Sequence, residues 1–263
     1  YKEWEIQRYI YDPLLIKGNA LFPGLKEDIM LELKDSGGLS RKIEGDKYYK
    51  CNLRAYVLLV YHKSTKKYSV YIYDRYIYNS SGAPYPNPNK LESIDFSDPW
   101  PHKSGAIKCG SSSMDFNDLI DYCSNSEDEI MKPNISLNDF TKIKAQVNKI
   151  VKEVIEVGIK KGNCCKPEID SEDKALIIYH PIGVDLLLDQ KLNVYFIEAN
   201  PGVGFNLSIS NNTTDIYEKK NIKKELEMEQ NFNARLYNLI RDASYSSKLE
   251  NEGIGKLSEK YFY

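Results

Sequence analysis

Apolar and polar positions along this chain fall into alternating, helical and unpatterned stretches in turn. Glu3 to Ile10 alternates, with Trp4, Ile6, Tyr9 and Ile10 as its apolar members, and predicts a short strand that stops at Asp12-Pro13. Gly18 to Asp46 is charged and glycine-bearing and reads as an excursion, with Leu25 to Leu33 as one helical stretch. The strongest β signal follows. Leu53 to Tyr61 and Tyr68 to Asp74 are β-branched and aromatic runs, and the polar turn His62 to Lys67 makes them a hairpin. Asn79 to Lys90 carries Gly82, Pro84, Pro86 and Pro88 and predicts loop; the unpatterned stretch runs on to Met114, before a short helix over Asp115 to Tyr122. Ser136 suits an N-cap, with Asp139 three residues on. Ile143, Val147, Ile150, Val151, Val154, Ile155 and Ile159 then recur at helical spacing to about Lys161, and Gly162 ends that helix. Ala175 to Leu188, interrupted at Pro181-Ile182-Gly183, and Leu192 to Ala199 are further β runs joined by the turn Asp189-Gln190-Lys191. A last helix is expected over Lys220 to Ile240. Strands, helix, strands, helix, with no internal repeat, predict an α+β fold.

Composition narrows the classes. With 263 residues and 41% hydrophobic content, the chain can bury one large core or two small ones. Charged residues make up 28% but nearly cancel to a net charge of -2, so no nucleic-acid partner is expected. Tyrosine is frequent, at 21 residues; Tyr48-Tyr49, Tyr71, Tyr73, Tyr76 and Tyr78 admit base stacking, but the thin basic interleaving favours strand packing. Cys51, Cys109, Cys123, Cys164 and Cys165 are odd in number and scattered, which fits neither a disulfide framework nor a paired zinc motif. His62, His102 and His180 show no metal spacing. No apolar run approaches the roughly 18 residues of a membrane span, so a cytoplasmic protein without a membrane partner is expected. The first residue is Tyr1, almost inside a strand-like segment, and the chain is expected to belong to a longer polypeptide.

Candidate chemistry concentrates between Gly183 and Asn206. Asp185 sits on a strongly apolar run, and Glu198 and Asn200 stand two apart at the end of the next. A period of two puts Glu198 and Asn200 on one strand face, and the 189–191 turn makes the runs antiparallel neighbours, so Asp185 can face that pair. Three oxygen ligands from strand positions are what hard Mg²⁺ takes alongside phosphates and water. The plainer alternative is polar strand ends meeting a turn. Against it, unpaired charge embedded in apolar runs is expensive, and Pro201-Gly202 gives a sharp exit behind Asn200.

Several segments together resemble the tubulin–tyrosine-ligase-like family of ATP-grasp enzymes. IQRYIYDPLLIKG (residues 6–18) is similar to the family's Q-K-Y-I-x-x-P-L-L-I segment, and KCNLRAYVLL (50–59) to its K-F-D-L-R-x-Y-V-L. Gly183, Asp185, Glu198, Asn200 and Pro201 match a G-x-D strand followed by an E-x-N-P ending. The resemblance implies an ATP-grasp fold, a mainly antiparallel sheet flanked by helices, filling residues 1–263, with the glycine-rich loop and its lysine upstream of Tyr1. It further implies Gln7, Arg8, Tyr9 and Ile10 as the hinge strand for adenine, and Leu186 and Ile197 as apolar contacts to it. Lys50 and Arg54 would neutralise ATP phosphates and an acyl-phosphate, and Asp185, Glu198 and Asn200 would hold Mg²⁺. Arg54 is thus expected to act in chemistry more than in folding. The implied activity is ligation of a free amino acid to a protein or peptide acceptor, tubulin among the acceptors the family admits.

Departures from the pattern motivate a second reading, a degenerate module that binds nucleotide or a protein without ligating, although the survival of Asp185, Glu198 and Asn200 favours retained ATP binding. Asn52 stands where the family has an aspartate, Asn79 where it has an arginine, and the His-Leu-Thr-Asn segment has no counterpart. Lys50 and Arg54 also admit a bland reading as solvent-facing strand residues.

Overall fold

The computed structural model describes residues 9–18, 31–34, 40–44, 46–63, 67–73, 76–81, 83–86, 113–115, 137–161 and 177–202, with Gln230 and Ala234. Within them lie strands β1 (Leu15–Lys17), β2 (Leu31–Lys34), β3 (Ser40–Ile43), β4 (Tyr48–His62) and β5 (Lys67–Ile72). They are followed by β6 (Ile77–Ser80), β7 (Ser113–Asp115), helix α1 (Leu137–Lys160), β8 (Ile177–Leu188) and β9 (Val194–Pro201). The result is a mainly antiparallel sheet with a helix on it, an α+β arrangement of ATP-grasp type.

The expected 53–74 hairpin forms as β4 and β5, but β4 begins earlier and becomes the spine of a seven-stranded sheet. Its 15 residues pair with β8 over 52–62 and with β1 over 48–50, while β6 and β5 pair with 51–54 and 57–62. β9 adds to β8 and β7 to β6. Alternation gives each strand a core face. Leu53, Ala55, Val57 and Leu59 of β4, with Ile182, Val184, Leu186 and Leu188 of β8, form one cluster with Ile143, Val147, Val151 and Ile155 of α1. Those four helix positions recur every fourth residue and are essentially inaccessible to solvent, each burial contributing about 1.5–3 kcal/mol. Asp139 in the first turn and Lys160 in the last complement the helix dipole.

Four local expectations are corrected. Leu31–Lys34 is a strand, where a helix was expected over Leu25 to Leu33. Leu31 and Leu33 alternate with Glu32 and Lys34, and the segment pairs with β3. Asn79 belongs to β6, where loop was expected, and Asp115 ends β7, where a helix was expected to begin. Such short strands have too few residues to show a period, and their partners lie far along the chain. Pro181 does not interrupt β8. Its carbonyl accepts the Gly202 N–H at 2.8 Å, and a strand residue turns N and O to the same side, so the missing donor falls away from β4. Residues 3–8, 116–122, the Ser136 cap and most of 220–240 lie outside the described residues; Gln230 and Ala234 are helical.

The turn after β8 is built on Asp189, buried to 3% exposure. Its carboxylate accepts from Lys191 N (2.9 Å), Asn193 N (2.8 Å), Asn193 Nδ2 (2.8 Å) and the Tyr195 hydroxyl (2.9 Å). Leu192 takes a positive φ of 64° inside that turn. From the helix, Gln146 Nε2 donates to Leu192 O and Gln146 Oε1 accepts from Val194 N. Segment 12–14 closes the same end, with Gln190 N donating to Asp12 O and Leu14 N to Leu188 O. These bonds pin the β8–β9 register and hold the Tyr9–Asp12 segment near β4.

Candidate functional site

The sheet face away from α1 carries the polar residues. Lys50, Asn52 and Arg54 alternate along β4, and the register sets Asp185 directly opposite Arg54 and Glu198 directly opposite Asp185. Residues directly opposite one another share a face, so the cation and the two carboxylates form one cross-strand row. The next row is Tyr56, Gly183 and Asn200. A Cβ at Gly183 would stand 3.7 Å from Arg54 Cδ and Nε, so the arginine stem lies across bare backbone on its way to Asp185. Gly202, at φ +88°, turns the chain directly after Pro201, a conformation that favours glycine.

Arg54 and Asp185 form a bidentate pair, Nε to Oδ1 at 2.8 Å and Nη2 to Oδ2 at 2.7 Å. Asp185 is 3% exposed, and its hydrogen-bonded carboxylate holds the guanidinium above its already high ordinary pKa. Arg54 is expected to act in chemistry more than in folding; this pair gives it a structural partner as well, a buried carboxylate. Asn200 Nδ2 donates to Asp185 Oδ2 at 3.1 Å and to Glu198 Oε1 at 3.0 Å. Asp185, Glu198 and Asn200 thus converge as the alternation argument expects.

Among the described residues no group of three or more His, Cys, Asp and Glu side chains could hold a metal. The triad offers two carboxylates and an amide instead, an all-oxygen set suited to Mg²⁺. Its geometry fits a cation, because one partly positive group, Asn200 Nδ2, already bridges both carboxylates. A half-turn of that amide would present Oδ1 to a cation in place of Nδ2.

Lys50 is 8% exposed, and burial pushes its ammonium down from 10.5 to about 8. Among the described residues Lys50 meets no carboxylate; its Nζ lies 5.1 Å from the Tyr9 ring centroid. Between Lys50 and Arg54, Asn52 is 3% exposed, and its Oδ1 has no hydrogen-bond partner. Such isolation costs stability. The drop from 10.5 to about 8 corresponds to about 3 kcal/mol, spent below pH 8 on keeping the buried ammonium charged. Between pH 8 and 10.5 the unfolded chain holds the proton that the folded chain has released, so this contribution makes stability rise with pH. Lys50→Met is therefore expected to raise the melting temperature at pH 7 and to flatten that rise, which thermal unfolding from pH 7 to 10.5 measures.

The other expected contacts divide. Gln7 and Arg8 lie outside the described residues; Ile10 is half-buried. Leu186 is fully buried in the core on the face opposite Asp185, so the apolar residue on Asp185's own face is Leu187, at 4% exposure. Counting by two from Asp185 already separates them. Ile197 is half-buried at a β-bulge: Asp185 pairs with Glu198 and Leu186 with Phe196, leaving Ile197 as the extra residue. Tyr9, expected as part of the hinge strand, sets its ring beside Lys50, a contact that nothing local in the sequence signals.

The sequence model of the tubulin-tyrosine ligase family matches residues 2–202, which include Lys50, Arg54, Asp185, Glu198 and Asn200. Among curated proteins none matches the chain.

Proposed function

Because the chain belongs to the tubulin-tyrosine ligase family, whose membership supports a ligase-type enzyme, we propose that it is a Mg²⁺- and ATP-dependent carboxylate–amine ligase. It joins a free amino acid to a protein or peptide acceptor. A carboxylate oxygen attacks the γ-phosphorus of ATP, the bond to the β-phosphate oxygen breaks, and ADP leaves. The amine nitrogen then attacks the acyl carbon, the carbon–oxygen bond to phosphate breaks, and the amine proton passes to solvent. Little covalent work falls to the protein, so positioning and charge neutralisation carry the catalysis.

The observation that carries this reading is the Arg54–Asp185–Glu198 row with Asn200 beside it. Asp185, Glu198 and Asn200 would hold Mg²⁺, which when bound neutralises phosphate charge. Lys50 and Arg54 face the same side and direct permanent or near-permanent positive charge at anionic oxygens, a use that suits the planar guanidinium especially. Tyr9 and Ile10 belong to the segment proposed to hold adenine by its backbone edge.

The two departures bear on the non-catalytic alternative. Asn52 and Asn79 are paired directly across β4 and β6. The family pattern puts an aspartate and an arginine at these two positions, so both departures fall on a single rung and cancel in charge. Paired neutralisation fits a retained site with altered acceptor recognition better than random decay.

The test is ATP turnover by the full-length protein with a panel of amino acids and carboxylate-ended peptides. ADP release should require an amino acid and an acceptor together, with the acceptor gaining the mass of the amino acid less one water. ATP binding without mass gain for any pair would instead identify a nucleotide-binding module.

A further inference from the structure

Lys50 is held in a way that its proposed role alone does not explain. Its strand neighbour Arg54 is occupied by Asp185, and Glu198 lies beyond Asp185 on β9, bonded to Asn200. Among the described residues, what meets the Lys50 ammonium is the face of the Tyr9 ring, 5.1 Å from its centroid. We propose that the Tyr9 ring is the seat that positions the Lys50 ammonium for a polyphosphate anion, which makes Tyr9 a positioning residue of this site. The inference rests on the reading of Lys50 as a phosphate-binding cation.

An aromatic face attracts an ammonium through its quadrupole without neutralising it. A carboxylate in the same place would occupy the N–H groups and repel an arriving phosphate. The ring leaves donors directed away from it for the anion. Its attitude is also fixed. The Tyr9 hydroxyl stands 3.1 Å from the Tyr85 hydroxyl, and Tyr11 meets the Tyr9 ring edge-on, with centroids 5.0 Å apart at 69°. Tyr85 is buried, and its backbone N–H donates to Tyr48 O at 2.7 Å, two residues before Lys50 on the same strand. Ring and ammonium therefore move with one strand. Burial, then the Tyr85 hydrogen bond, push the Tyr9 hydroxyl up, so the ring stays neutral across the working pH range. Tyr9 also belongs to the segment assigned to the adenine, which links the base end of the nucleotide to the cation at its phosphate end.

Among the described residues, the titratable side chains gathered with the Tyr9 ring beside Lys50 are Tyr11 and Tyr85, and Arg54 with its partner Asp185 lies farther along the same face of β4. A test must change the ring's electrostatics and leave its shape and these groups in place. Tyr9→Phe keeps the ring face and loses the hydroxyl tether; Tyr9→pentafluorophenylalanine keeps the shape and reverses the quadrupole. In each full-length protein, the pH midpoint for acetylation of Lys50 by acetic anhydride is read by peptide mass spectrometry, with and without a non-hydrolysable ATP analogue. Wild type and Tyr9→Phe should titrate near 8, and the fluorinated ring should lower the midpoint by about half a unit or more. Affinity for the analogue should fall in parallel, by about threefold or more. One midpoint shared by all three proteins overturns the seat. Failure of the analogue to protect Lys50 in wild type overturns the phosphate reading, whatever the midpoints do.

Discussion

Arg54→Ala is expected to lower ligase turnover by about 10²-fold or more and to lower the melting temperature by roughly 10 °C. The first effect follows from the proposed role of Arg54 as a charge-stabilising donor at the reacting phosphate. The second follows from what Arg54 leaves behind. Asp185 is 3% exposed and spends both carboxylate oxygens on the guanidinium. Without Arg54, its remaining donor among the described residues is Asn200 Nδ2. Breaking a buried pair by removing one partner costs about 3–5 kcal/mol, because the other charge stays buried and uncompensated. The two effects separate by design. Arg54→Met with Asp185→Leu removes both charges, and paired apolar replacement of a buried ion pair is commonly neutral or stabilising, so stability should return while turnover does not. Arg54→Lys keeps the charge but loses the fork geometry, and should restore activity only in part. Thermal unfolding and product formation on the same preparations decide it. If Arg54→Ala melts like wild type, the pair contributes nothing to folding; if turnover persists, Arg54 has no part in the chemistry.

The Arg54–Asp185 pair lies beyond what local sequence patterns carry. Period-two alternation puts positions 50, 52 and 54 of a strand on one face, and the short 189–191 turn makes Glu198 and Asn200 neighbours of Asp185. Both inferences are local, and the hairpin register follows from a turn whose carboxylate collects its bonds within six residues. Arg54 and Asp185 are 131 residues apart, and no local pattern says which rung of β4 a distant strand will meet. The same limit hid β6 and β7, whose three or four residues are too few to show a period. The bulge at Ile197 shifts the pairing by one residue, which strict alternation does not anticipate. The α1 stripe was legible because Ile143, Val147, Val151 and Ile155 repeat along a single element.

Glu198→Gln should remove most of the magnesium dependence of ATP-induced stabilisation while leaving the apo protein's melting temperature within a few degrees of wild type. A ligand that binds only the native state stabilises it by mass action, about 2.7 kcal/mol at a hundredfold excess over its dissociation constant, or roughly 5–10 °C for a domain of this size. Glu198 is the member of the triad to change first. It is exposed, and among the described residues its carboxylate bonds only to the Asn200 amide, so losing its charge strains little. Asp185→Asn is a less informative probe, because it would also leave the Arg54 guanidinium without its carboxylate partner and confuse metal loss with unfolding. In Glu198→Gln the pair of Arg54 and Asp185 stands, and so does Lys50, the cation proposed to meet the phosphates. ATP alone should therefore shift the melting temperature about as much in the variant as in wild type, and only the increment on adding Mg²⁺ should shrink. An undiminished increment would end the assignment of Asp185, Glu198 and Asn200 as magnesium ligands, and loss of the shift by ATP alone would instead mean that Glu198 supports the nucleotide site directly.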